Sequence, residues 1–214
     1  MYASRFARLT RLGALVKMKL DLVFSGIGGQ GVVVLSDIFC EAALMDGFDV
    51  AKAEVHGMAQ RGGSIVAYAR IGDKVAAPLI ERGKADVVLG FEILETARVL
   101  PMLKKGGTVV VNMKYIPPNC TFQDSAEFKK PLDYVGMLRK KALKVHEVDG
   151  AGIAEKVGNP IVVNTVLLGA LSALPENPIK KETLEKAICG RLKQKFHSIN
   201  LEAFHLGRDS VILG

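Results

Sequence analysis

The sequence contains no tryptophan, few other aromatic residues and only three cysteines among its 214 residues. Cys40, Cys120 and Cys189 lie far apart and form no C-x-x-C pair. An iron–sulfur cluster usually takes four cysteine ligands, and a structural zinc takes four cysteine or histidine ligands in paired spacing. The cysteine set therefore excludes a cluster held by this chain alone and suits a reducing, cytoplasmic setting. Cys40 and Cys189 fall inside helical apolar patterns and read as small buried hydrophobes. His197 and His205 stand eight residues apart on helical sequence, too far for a metal-binding pair. His146, in an apolar alternation, reads as a satisfied core or edge histidine. There is no H-E-x-x-H, no Walker A loop and no Ser-His-Asp or Cys-His arrangement. No apolar run is long enough to span a bilayer.

An excess of basic charge is present, but it is unevenly placed. The net charge is +7. Residues 1–20 carry Arg5, Arg8, Arg11, Lys17 and Lys19 and no acid, and the remainder holds 24 basic against 22 acidic residues. A body this close to neutral, with no basic stripe interleaved with aromatics, is not that of a nucleic-acid binder. The clusters "RKKALK" (139–144) and "GRLKQK" (190–195) read as solvated helix faces. Residues 1–18 are expected to lie outside the fold. They read as a frayed end or as sequence upstream of a start at Met18, with transit-peptide chemistry as the other reading.

Nearly half of the residues, 49%, are apolar, enough for one sizeable core in a single domain over 19–214. Periodicity and glycine punctuation alternate strand and helix. Strands are expected at 20–25, 49–55, 85–92, 108–114 and 142–149. A hairpin about Asp73 should pair "IVAYARIG" with "VAAPLI". Helices are expected over 32–45, 93–105 and 132–141, and in three segments from 161 to the end. The fold class is α/β: a doubly wound, mostly parallel sheet with an antiparallel hairpin and a helical C-terminal portion.

Two stretches carry chemistry. In "LDLVFSGIGGQGVVVLSDIF" (20–39), Gly26, Gly28 and Gly31 fit G-x-G-x-x-G, with Gly29 and Gln30 inside the turn. The turn follows a strand and opens a helix, so its backbone N–H groups can face an anion or a cofactor phosphate. A dinucleotide fold also needs a ribose-binding acid about 20 residues beyond the motif. The candidate, Glu54, comes 28 residues after Gly26. The second stretch, "EVHGMAQRGGS" (54–64), offers His56, Gln60, Arg61 and Ser64 among Gly57, Gly62 and Gly63. An Arg followed by two glycines can present its fork to a carboxylate or phosphate. Together the two loops suggest a shared pocket, with a free-standing NAD(P)- or FAD-binding oxidoreductase as the alternative. Asn164, interrupting the apolar "NPIVVNTVLLGAL", either faces that pocket or bonds a neighbouring backbone group.

"SGIGGQGVVVLSDIFCEAAL" followed by "AEVHGMAQRGGSIVAYARIG" resembles the gamma module of the 2-oxoacid:ferredoxin oxidoreductases, and within that family its indolepyruvate type. The similarity continues through "PLIERGKADVVLGFEILETARVLPMLKKGGTVVVN" and "GNPIVVNTVLLGAL". The resemblance implies a small subunit that holds no cofactor itself. It implies a large partner subunit carrying thiamine diphosphate, magnesium and iron–sulfur clusters, with coenzyme A as co-substrate and ferredoxin as electron acceptor. It further implies that the glycine turn and the Arg61 loop line the partner interface, near a substrate carboxylate or coenzyme A phosphates. In isolation such a chain can also pair with itself.

Overall fold

The computed structural model describes residues 18–57, 62–117 and 130–212. Six strands form one sheet in the order β2-β3-β1-β4-β5-β6. They are β1 (Lys19–Ile27), β2 (Asp49–His56), β3 (Ser64–Gly72), β4 (Ala85–Gly90), β5 (Leu103–Asn112) and β6 (Lys144–Val148). Only β3 runs against the others, pairing antiparallel with both β1 and β2. Around the sheet stand α1 (Val32–Met45), α2 (Ile93–Val99), α3 (Pro131–Lys141), α4 (Gly150–Val157), α5 (Val163–Ser172), α6 (Lys181–Arg191) and α7 (His197–Ile212).

The layers follow from strand alternation. Leu20, Leu22 and Phe24 of β1 join α1, α5, α6 and α7 in the larger core. Val23 of β1, with Val88 of β4 and Val109 of β5, packs on the other side under α2 and α3. The connection after β1 therefore leaves to one face of the sheet and that after β4 to the other. These strands are neighbours, so a switch point lies between their carboxyl ends.

The expected antiparallel element is present but is built differently. β3 pairs with β1 and β2, and "VAAPLI" forms no strand. Pro78 lacks an N–H, and the Arg70 guanidinium takes the carbonyls of Ala77 and Leu79 instead of leaving them to a ladder. The helix expected over 93–105 stops at Val99, with a 3-10 turn at Leu100–Met102, because Pro101 cannot continue it. Lys104 to Gly107 thus belong to β5. α4 was not expected from its glycine-rich start; Asp149 caps it by accepting the Gly152 N–H at 2.9 Å. His146 is not fully satisfied: its buried Nε2 makes no hydrogen bond among the described residues. Burial, then the nearby Lys144 charge, pushes its pKa down. No helix among the described residues is long and apolar enough to cross a membrane. The expectation for residues 1–18 falls, Met18 apart, outside the described residues.

Candidate functional site

Residues Val32–Met45 form a helix because a glycine turn releases the chain from β1 and an apolar face at helical spacing meets the core. The turn needs glycine at two places. Gly29 and Gly31 have φ of 102° and 85°, which side-chain-bearing residues rarely adopt. Gly31 is the residue before α1, and no side chain caps the helix. The first-turn amides therefore keep the partial positive charge of an uncapped helix start.

Gly29, Gln30 and Gly31 form one wall of a cavity of about 1030 Å³. Phe91 beyond β4, Asn112 at the end of β5, and Lys114 and Ile116 after it form a second wall. Residues 151–164 of α4, the following turn and α5 close the third side, with Asn164 reaching the mouth of the glycine turn. The cavity thus opens at the switch point, at the carboxyl ends of β1, β4 and β5, where open α/β sheets bind ligands. Its lining is mostly apolar, and its polar groups are chiefly donors. Asn164 Oδ1 accepts the Thr165 N–H at 2.9 Å, which turns Nδ2 toward Gly31. Lys114 makes no ion pair among the described residues. Asn112 is already committed, donating to the Phe91 carbonyl at 3.0 Å and accepting the Gly150 N–H at 3.1 Å. Glu155 is the one acid among the described lining residues.

The other glycines act by packing. A Cβ on Gly26 would meet Phe91 Cβ and Val32 Cγ2 at 2.8 Å, so Gly26 lets β1, β4 and α1 converge. Gly28 donates its N–H to the Gly63 carbonyl at 2.9 Å, which ties the glycine turn to the stem of the second loop. The structure therefore brings the two loops together, but through a bond that removes one amide from ligand binding. Gly62 takes a φ of 72° in that stem. The Ser64 hydroxyl donates to buried Glu95 at 2.5 Å, fixing the start of β3 against α2. Gln30 Oε1 accepts the Ile27 N–H at 2.7 Å and so braces its own turn. Gln60 and Arg61 lie outside the described residues.

Glu54 and His56 are placed elsewhere. β3 separates β2 from β1, so Glu54 stands two strands from the glycine turn and outside the cavity lining. Its carboxylate belongs to an ion network with Lys52, which also binds Asp37 of α1, and with His56 at 3.0 Å. A dinucleotide site would lack its ribose-binding acid here, and the Gly28 amide is occupied. The free-standing NAD(P)/FAD reading finds no support in this geometry.

Burial alone would raise the Glu54 pKa, but hydrogen bonds from Lys52 and His56, with their charges, outweigh it and hold the carboxyl below its ordinary 4.5. For Lys52, burial would lower the pKa, and the bonds to Asp37 and Glu54 outweigh it, raising it above 10.5. The depressed acid adds stability that is complete above pH 4.5 and is lost as pH falls through its folded value. The raised base adds stability that is complete below pH 10.5 and is lost as pH rises through its folded value. In thermal melts against pH, Lys52→Met is expected to lower Tm at neutral pH and to flatten both arms of the profile. An unchanged profile would deny the network any role.

Sequence reasoning missed Lys114, Ile116, Phe91 and Glu92. Glu92 is fully buried, and its carboxylate accepts the N–H groups of Leu94 at 3.0 Å and Ile116 at 3.4 Å, as well as that of Glu95. Burial pushes its pKa up, opposed by those backbone bonds. It thereby positions the segment bearing Ile116. The only signal in the sequence was location, directly after the carboxyl ends of two buried strands. Among the described residues no group of three or more His, Cys, Asp or Glu side chains could hold a metal. Burial pushes the Cys40 thiol up to about 12, leaving it inert.

The sequence profile described as "Pyruvate ferredoxin/flavodoxin oxidoreductase" matches residues 21–210. Indolepyruvate oxidoreductase subunit IorB of Archaeoglobus fulgidus is 40% identical over 198 residues, 92% of this chain and 98% of that protein. The crystal structure of the keto/oxoacid ferredoxin oxidoreductase gamma subunit of Geobacter sulfurreducens superposes with a TM-score of 0.68 at 25% identity. It covers 91% of this chain and 99% of the other. The 2-oxoglutarate:ferredoxin oxidoreductase of Magnetococcus marinus shares the fold, with a TM-score of 0.71 at 20% identity. There 93% of this chain corresponds to 32% of a longer polypeptide. The chain belongs to the pyruvate ferredoxin/flavodoxin oxidoreductase family.

Proposed function

We propose that this chain is the small, gamma-type subunit of a 2-oxo acid:ferredoxin oxidoreductase of the indolepyruvate type. The observation that carries this reading is the near end-to-end correspondence with relatives named as subunits of such enzymes. The reaction is the oxidative decarboxylation of a 2-oxo acid to an acyl-coenzyme A, with electrons passed to ferredoxin. The reading assigns thiamine diphosphate, magnesium and the iron–sulfur clusters to a large partner subunit in the cytoplasm. This chain's widely spaced cysteines do not match the ligand set of an iron–sulfur cluster, and no group of three or more His, Cys, Asp or Glu among the described residues could hold a metal. Residues 19–214 act as one domain, with residues 1–18 outside it.

Within that enzyme the cavity supports the reading as a binding surface. The uncapped start of α1, Asn164 Nδ2 and Lys114 are donors around an apolar chamber, which suits an oxyanion carried on an apolar body. A substrate carboxylate and the phosphates of coenzyme A both have that chemistry. No residue here is placed as a general base; the chain's work is to bind, orient and exclude water. Arg61 and Gln60, on the loop joined to the glycine turn, belong to the same proposed surface.

In the reconstituted two-subunit enzyme, Asn164→Ala is expected to raise KM for the anionic partner about tenfold, the worth of one hydrogen bond to a charged group, and to leave kcat nearly unchanged. Equal KM values for every substrate in variant and wild type would remove Asn164 from the surface.

A further inference from the structure

Among the described residues, β2 and β3 are covered by a helix on one side only. On the α1 side the alternate residues Ala67, Ala69 and Ile71 of β3 have no exposed surface. On the other side α2 packs over β1, β4 and β5. Beside it the residues of the outer two strands remain open: Val66 and Tyr68 are half-buried, Ala53 pairs with Tyr68, and Val55, paired with Val66, is 52% exposed. Leu79, 62% exposed, follows the carbonyl-bearing loop that crosses the amino end of this face. A doubly wound sheet normally buries both faces, and an antiparallel pair left in water normally alternates apolar with polar residues. Here the open side is apolar. Its charges, Arg70 and Asp49, both lie toward its amino end: Arg70 is bonded to Asp21 at 2.9 Å and to the loop carbonyls, and Asp49 accepts the Val75 N–H at 2.8 Å.

From this open β2–β3 face we infer a docking surface for an uncharged, apolar helix of the large partner subunit, seated beside α2 where the sheet lacks its own cover. The inference rests on the subunit reading above. Three observations favour that occupant. Its two charges sit together at the amino end and are already hydrogen-bonded, so the rest of the surface, from Ala51 to Val55 and Val66 to Tyr68, offers an acidic or basic partner nothing. Two uncovered strands at a spacing of about 4.8 Å leave about the width of one helix beside α2, and in the Magnetococcus enzyme the same fold is one part of a longer polypeptide. Finally, Val55 and Val66 are one residue from His56 and Ile65, at the rim where the glycine turn joins the second loop. A subunit that closes the cavity over this rim meets the open face next.

The test is assembly of the full chain with a separately purified large subunit of the indolepyruvate type from the same source, measured by titration calorimetry with Val55→Glu and with Ala53→Glu/Val55→Glu. Val55 is exposed enough that its variant keeps the fold, checked by circular dichroism. The double variant is expected to weaken association on the order of 100-fold, because a carboxylate is then desolvated without a partner. Wild-type affinity in both folded variants would overturn the inference. So would a wild-type homodimer in sedimentation that Val55→Glu disrupts, which would make a second copy the occupant. Hydrogen-exchange protection of 51–55 that disappears on removing residues 1–17 would overturn it likewise, assigning the face to the chain's own terminus. If the wild-type chain itself does not assemble with the large subunit, the subunit reading fails and this inference with it.

Discussion

Gly169→Ala is expected to cost about 3 kcal/mol of folding stability, at the upper end for overpacking a core. α5 and α7 cross with backbone against backbone, and each contributes one glycine to the contact. A Cβ on Gly169 would overlap the Phe204 carbonyl oxygen and lie 2.8 Å from its carbon and 2.9 Å from the Arg208 nitrogen. Reciprocally, a Cβ on Gly207 would overlap the Val166 carbonyl oxygen and lie 2.7 Å from its carbon. These neighbours are main chain in the middle of helices and cannot swing aside as a side chain would. The helices must separate, and Val166, Leu167 and Phe204, all fully buried, lose their packing together. α5 begins at Val163, so the displacement also reaches Asn164 at the cavity. Gly190 of α6 is the control, since a Cβ there meets nothing within 4 Å. Gly190→Ala is expected to raise stability by up to about 1 kcal/mol through helix propensity. Urea denaturation of the two variants gives opposite signs if the close crossing is real, and matching small shifts if it is not.

Arg70→Met is expected to destabilise the fold by about 3 kcal/mol or more. Asp21 is 1% exposed within β1, and Arg70 from β3 donates to its two carboxylate oxygens at 2.9 and 3.4 Å. Lys19, at 2.8 Å, is the other counter-charge, but its side chain is 57% exposed and largely hydrated. Removing Arg70 therefore leaves a buried carboxylate with one weak partner, the case in which breaking a buried pair is most costly. It also frees the carbonyls of Ala77 and Leu79, loosening the loop beneath the open sheet face. Replacing both members, as Asp21→Leu with Arg70→Met, is expected to recover most of the loss. A double-mutant cycle measures that coupling directly. Additive losses in the cycle would mean that the two residues act independently.

Where local pattern and global packing agree, the fold could be read from the sequence. α1 begins at Val32 and ends at Met45, as its glycine turn and apolar period require. The near-continuous apolar runs of β1, β4 and β5 are strands buried on both faces. Disagreements arise where a tertiary partner decides. "VAAPLI" has strand composition, but its carbonyls go to Arg70. "LKKGG" continues a helical period, yet Pro101 has already ended the helix, and Leu103 and then Thr108 to Val111 pair with β4. The site was half legible. The glycine turn and Asn164 do meet across one cavity, because Gly31 has no side chain to separate them. Lys114 and Ile116 were out of reach, because they join the site through the strand order, which places β5 two strands from β1, and no local motif marks them. Glu54 misled for the same reason: the insertion of β3 between β1 and β2 carries it away from the turn that its spacing seemed to serve.

The central claim, that this chain completes an active site whose cofactors belong to another polypeptide, is tested most directly by reconstitution. A large subunit of the indolepyruvate type from the same source is purified alone and then mixed with this chain, and ferredoxin reduction dependent on 2-oxo acid and coenzyme A is monitored. The expected result is activity that appears only with both chains, titrates to saturation, and occurs while this chain alone retains no nucleotide. Full turnover by the large subunit without this chain, or tight NAD(P) or FAD binding by this chain alone, would contradict the account.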